Sequence, residues 1–228
     1  MQAHGKERLL AGAAGILFSV LSLAVIPLSP EIGAPIGSSA DDLVGYYVRH
    51  RSGFLIGNYL GVAAFLPGFV QLAILSSWIR RQEEPDGWLS SLVLATGTFA
   101  YSVGACVLIV FQVLPFLMDG EARVGAPAVA SLANVGFCLF LLAGMPFLAS
   151  LGWATLATRV FPKWLGLTSV AMAIGGIAVS LGALTTQPRW LAAGGLATGI
   201  GFVGFFAVMS AFALMSLRPV RSVPQGEP

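Results

Sequence analysis

The sequence predicts an all-α fold: a polytopic membrane helix bundle of six transmembrane helices with one short outer amphipathic helix. Three observations predict it. The 12 Lys and Arg and 10 Asp and Glu among 228 residues fall within seven short segments, at 6–8, 31–51, 80–86, 119–123, 159–163, 189 and 218–227. Between these lie six apolar runs, each about as long as the roughly 20 residues a helix needs to cross the hydrocarbon core of a bilayer. A composition of 57% hydrophobic and 10% charged residues, with mean hydropathy +0.86, stands far from the roughly 25% charge of soluble domains. Too little polar surface is available to coat a water-soluble body, and no stretch is long enough for a separate soluble domain.

The six spans fall at 9–28, 53–79, 88–117, 128–157, 164–184 and 191–217, in a single transmembrane domain covering 1–228. The first follows a basic head containing Lys6 and Arg8. It is longer than the roughly 7–15 residues of a signal-peptide core, so it reads as a retained helix. The segment between the first two spans contains an amphipathic stretch. Ser39 or Asp41 suits its N-cap, Asp41 and Asp42 its positive end, and Arg49 and Arg51 its negative end. Leu43, Val44, Tyr47 and Val48 recur at helical spacing, which predicts a short helix lying on the outer surface. Pro67 and Pro146 fall inside the second and fourth spans and should kink them. Trp78, Trp88, Trp164 and Trp190 stand near span ends, with Trp153 near the inner end of the fourth, where amphipathic rings favour the headgroup region.

An even number of spans puts both termini on one side. That side carries eight Lys and Arg and the other four, which predicts cytoplasmic termini.

Chemistry is sparse inside the spans. Gly53, Gly57 and Gly61 repeat every fourth residue in the second span, and Gly195 and Gly199 do so in the sixth, a spacing that lets helices approach closely. The strongest polar groups at depth are Asn58, Gln71, Gln112 and Asn134. An unpaired amide in hydrocarbon is costly, so each should face another helix or a cavity; these four are the candidate ligand-binding residues. Thr96, Thr98, Tyr101 and Ser102 form a hydroxyl-rich stretch in the third span. Cys106 and Cys138 are not in a Cys-x-x-Cys pair and read as buried thiols. His4 and His50 lie outside the spans, so no metal or haem site is expected at depth. No proton relay, nucleotide loop or nucleophile elbow is present, and no cofactor is expected. Scattered basic residues give nucleic-acid binding no support. The charges assigned to the outer side (Asp41, Asp42, Arg49, His50, Arg51, Asp119, Glu121, Arg123 and Arg189) read as solvated loop charges, and Arg80 to Asp86 as a solvated inner turn.

Tyr46-Tyr47-Val-Arg-His50-Arg51 before the second span, and Val160-Phe161-Pro162-Lys163-Trp164-Leu165-Gly166 before the fifth, resemble a broad group of uncharacterised bacterial multi-pass membrane proteins. The group is common in actinobacteria and is classed as a domain of unknown function. The resemblance implies the six-span bundle, its topology and a bacterial inner membrane, and supplies no catalytic residues.

The function expected from these readings is that of a non-enzymatic accessory or scaffold subunit, with membrane lipids and other membrane subunits as partners. The alternative is a carrier of a lipid-like or neutral hydrophobic molecule. A third reading is an interfacial enzyme using Asp41, Asp42 and His50.

Overall fold

The computed structural model describes residues 2–28, 40–113, 116, 125–181 and 196–218. Seven helices follow in order: α1 (Gln2–Leu28), α2 (Ala40–Arg49), α3 (Arg51–Arg80), α4 (Leu89–Val113), α5 (Ala126–Thr158), α6 (Lys163–Leu181) and α7 (Leu196–Leu217). All but α2 contain a segment long and apolar enough to cross a membrane. The fold is therefore an all-α membrane helix bundle. Relative to the sequence expectation, α1 starts earlier, and α4 is described as far as Val113. Helices α3 and α5 run on through Pro67 and Pro146. Ser39, Asp119, Glu121, Arg123, Arg189, Trp190 and Gly195 lie outside the described residues, as do the side chains of His4, Asp42, Leu43, Val44, Tyr47 and Asn134.

The six long helices close into a ring. Each packs on the next in the order α1, α3, α4, α5, α6, α7, and α7 returns to α1. Helix α5 is the most enclosed, with 72% of its crossing segment buried. The centre is an aromatic column through Phe54, Phe111, Phe137, Phe202, Phe206, Phe18, Tyr101 and Phe147, with successive ring centroids 4.7–5.9 Å apart. Tilted and edge-on aromatic pairs of this kind contribute about 0.5–1.5 kcal/mol each beyond their burial. Glycines make room for the rings. A Cβ at Gly97 would stand 2.6 Å from Leu72 Cδ1, and one at Gly104 would stand 2.6 Å from Phe65 Cζ.

Two ends of the bundle differ. The end holding the start of α1 is tied by Glu7, whose carboxylate accepts from Arg81 Nη1 at 2.8 Å and Nη2 at 3.0 Å, and from Trp78 Nε1 at 3.3 Å. The hydrogen bond from Arg81 to Glu7 holds that guanidinium above its usual range, with the opposite charge assisting. Arg8 Nη1 donates to the carbonyl of Arg218 at 2.9 Å, joining α1 to the end of α7. Trp88, Trp153 and Trp164 point outward near the same end, as amphipathic rings at a headgroup boundary do.

In the turn from α3 to α4, Arg80, Arg81, Gln82, Glu84, Pro85 and Asp86 are exposed as expected, and Glu83 is the exception. Glu83 has a side chain only 3% exposed and pairs with Arg80 at 3.7 Å. Its oxygens accept from the Ser90 backbone N–H at 2.8 Å and the Ser90 hydroxyl at 2.7 Å. A carboxylate thus caps the first turn of α4, where the helix dipole favours negative charge. Arg80 in turn donates to the carbonyls of Gly87 and Pro85 at 2.7 and 2.9 Å, so this turn is bonded throughout.

Candidate functional site

At the other end, α2 lies across α3 and α5. Its inward contact is made by Tyr46, which packs on the core, whereas Val48 is exposed. Of the four residues expected to share one face, Leu43, Val44 and Tyr47 have side chains outside the described residues. Beneath α2, Phe54 of α3, Phe111 of α4 and Phe137 of α5 meet at ring distances of 5.9 and 5.4 Å.

The amide positions lie close in sequence to these three rings. Asn58 stands four residues after Phe54 on the same face of α3, Gln112 follows Phe111, and position 134 precedes Phe137 by three. Gly61 of α3 stands against Leu108 of α4, and Gly136 of α5 against Val107 of α4; with neighbouring helices antiparallel, that register puts all three positions within about one helical turn of each other along the bundle. Asn58 is 3% exposed. Asn58 Nδ2 and Gln112 Oε1 are both buried and make no hydrogen bond within the chain. Each such orphaned atom costs about 1–3 kcal/mol. The level thus offers one donor and one acceptor, uncharged, over an aromatic floor. It suits a neutral hydrogen-bonding group.

Gln71 is not part of this level. Thirteen residues beyond Asn58, it lies about 20 Å further along α3. There Gln71 Nε2 donates to the Met209 carbonyl at a long 3.4 Å, and Oε1 has no partner. Its side chain fills the space beside Gly15 of α1 and Ala213 of α7.

The glycines divide as well. Gly57 is buried. Gly53 faces the Leu28 carbonyl of α1, and a Cβ on Gly61 would stand 2.7 Å from Leu108 of α4 and 3.2 Å from Val25 of α1. At Gly199 a Cβ would meet nothing within 4 Å, whereas on Gly204 it would meet Met172 of α6.

Three groupings expected from sequence come apart. The hydroxyl stretch occupies different faces of α4. Thr96 bonds Ser150 of α5 at 2.9 Å, and Tyr101 is buried in the aromatic column with its hydroxyl unpartnered, while Thr98 and Ser102 face outward. Of the two cysteines, Cys138 is buried but Cys106 is exposed. His50 is fixed by Nδ1 on the Tyr46 carbonyl at 3.0 Å and by ring contact with Tyr46 at 4.8 Å. Asp41 stands nine residues before His50, about 13 Å away along the helix axis, so this acid and base do not form a pair.

The interior contains a cavity of about 20 Å³ among Ser22, Gly61, Phe65, Gly104, Phe140 and Phe206. That is room for about one water, far below the roughly 300–1,000 Å³ of a small-molecule pocket. Among the described residues, no cluster of three His, Cys, Asp or Glu stands close enough to hold a metal.

A ring of six apolar helices around a closed aromatic core defines a helical membrane protein. Comparison with protein-family models, with curated proteins and with solved structures finds no match to this chain.

Proposed function

We propose that this chain is a non-enzymatic membrane component, an accessory or scaffold subunit of a larger membrane complex. The observation that carries the reading is the outward face of α4. Ser91, Ala95, Thr98, Ser102 and Cys106 are all exposed and follow one another at three- and four-residue steps, so they form a stripe along the helix. Leu94 and Phe99 flank it, and Ile109 closes it. On α6 the outward face likewise carries Thr168, Ala171, Gly175 and Ala178 at three- and four-residue steps, set among Leu167, Ile174 and Leu181. Small and hydroxyl-bearing residues suit close contact and hydrogen bonding with another helix. The interior cavity beside Ser22 and Phe206, with room for about one water, favours this reading over a carrier.

Cys106 lies on the stripe and supplies a native probe. Thiol-specific cross-linking in native membranes is expected to give one adduct of defined mass. It should vanish in Cys106→Ser, persist in Cys138→Ser, and fall about tenfold in Thr98→Leu with Ser102→Leu, which removes two interhelical hydrogen-bonding groups. A Cys106 that reacts freely with maleimide and never cross-links would rule the subunit reading out.

A carrier of a neutral hydrophobic molecule is the second reading, favoured by the orphaned Asn58 Nδ2 and Gln112 Oε1. Asn58→Leu with Gln112→Leu is expected to raise the stability of the delipidated bundle by about 2 kcal/mol. It should also strip any neutral mass retained in native mass spectrometry. Retained mass that does not change with the substitutions excludes the carrier.

The seven described Lys and Arg at the α1 end (Lys6, Arg8, Arg80, Arg81, Arg159, Lys163 and Arg218), against Arg49 and Arg51 at the other, support a cytoplasmic position for the α1 end. A bacterial inner membrane accords with that orientation.

A further inference from the structure

The joint between α2 and α3 holds a feature that neither reading uses. An open hollow of about 250 Å³ lies between the end of α1 and the α2–α3 joint, lined by Leu28, Val48, Arg49, His50, Arg51 and Ser52. We propose that it binds the phosphate of an anionic phospholipid headgroup.

Arg49 and Arg51 are both exposed and both line the hollow, a space too small for a whole lipid and ample for a phosphate. Guanidinium forks match phosphate oxygens in geometry and charge. The hydroxyl of Ser52 adds a donor. The tether of His50 to the Tyr46 carbonyl holds its ring in place between the two arginines.

Position selects a lipid phosphate over a free one. The hollow sits where α1 ends at Leu28 and α3 begins at Arg51, two helices whose adjoining segments cross the membrane. That is the depth at which headgroup phosphates lie. Leu28 and the exposed Val48 give the glycerol and upper acyl chain an apolar wall beside the arginines. The pinning of Gly53 against the Leu28 carbonyl keeps the two sides of the hollow together.

The test uses the full chain in phosphatidylcholine nanodiscs with a minor fraction of phosphatidylglycerol, reading retained lipid by native mass spectrometry. Wild type should retain phosphatidylglycerol above its share. Arg49→Gln with Arg51→Gln should lower that preference about 30-fold, each basic side chain being worth about fivefold near an anionic surface. Arg49→Gln alone, a change outside the long helices, should lower it about fivefold, which keeps the test decisive if the double variant does not fold. Arg159→Gln with Lys163→Gln, at the opposite end, should leave it unchanged. Three outcomes overturn the proposal: no enrichment in wild type, an equal loss in the opposite-end pair, or saturable binding of inorganic phosphate without lipid enrichment.

Discussion

Replacing Gly152 by valine is expected to destabilise the bundle by about 3 kcal/mol or more, the upper range for overpacking a filled interior. A Cβ at Gly152 would stand 2.8 Å from the Gly166 carbonyl oxygen and 2.8 Å from Val170 Cγ2, and one at Gly166 would stand 2.9 Å from the Gly152 carbonyl oxygen. The backbones of α5 and α6 thus touch at a pair of matched glycines. A flexible side chain can rotate away from an added methyl, but a helical carbonyl cannot, so the helices must part along their length. Interhelical dispersion, the main attraction available inside lipid, falls with that separation. The control is Gly175→Val on the outer side of α6, where nothing lies within 4 Å of a Cβ; its effect should stay within about 0.5 kcal/mol. Thermal unfolding in one detergent, with the two variants side by side, checks both. Equal midpoints would show that α5 and α6 are not held at this distance.

Glu83→Ala is expected to cost about 2 kcal/mol, the upper end for loss of a helix cap. It removes acceptors from the Ser90 N–H and hydroxyl at once and leaves Arg80 without its ion-pair partner. Glu83→Gln keeps the shape and one good acceptor, and should cost about half as much. Chemical denaturation followed by tryptophan fluorescence suits this comparison, since Trp78 and Trp88 flank the turn. An alanine variant as stable as wild type would mean that the carboxylate contributes nothing there.

The helices were legible in the sequence because charge is confined to the segments that join them, and a buried charge is costly in lipid. Their order around the ring was not. A helix that is apolar on all sides carries no facing signal, and the pairing of Gly97 with Leu72 and Phe147, or of Gly104 with Phe65 and Phe140, is visible only once the helices are side by side. The four amides could each be named in advance. The coincidence of Asn58, Gln112 and position 134 at one depth, and the separation of Gln71, depend on antiparallel register set by the aromatic column. Residues 96, 98, 101 and 102 were legible and misread, because steps of two, three and one residues turn a helix through different faces. Glu83 gave no signal, since it caps Ser90 from seven residues away, outside the spacing of a capping box.

The closed ring also has a consequence for synthesis. The α1–α7 seam joins the first of these helices to leave the ribosome to the last of them, so every earlier insertion intermediate of the ring is an open arc. In that arc the side chain of Gln71 and the glycines of α1 face lipid instead of Met209 and Ala213. Until α7 arrives that amide is without its Met209 partner, and the arrival of α7 both covers it and closes the ring.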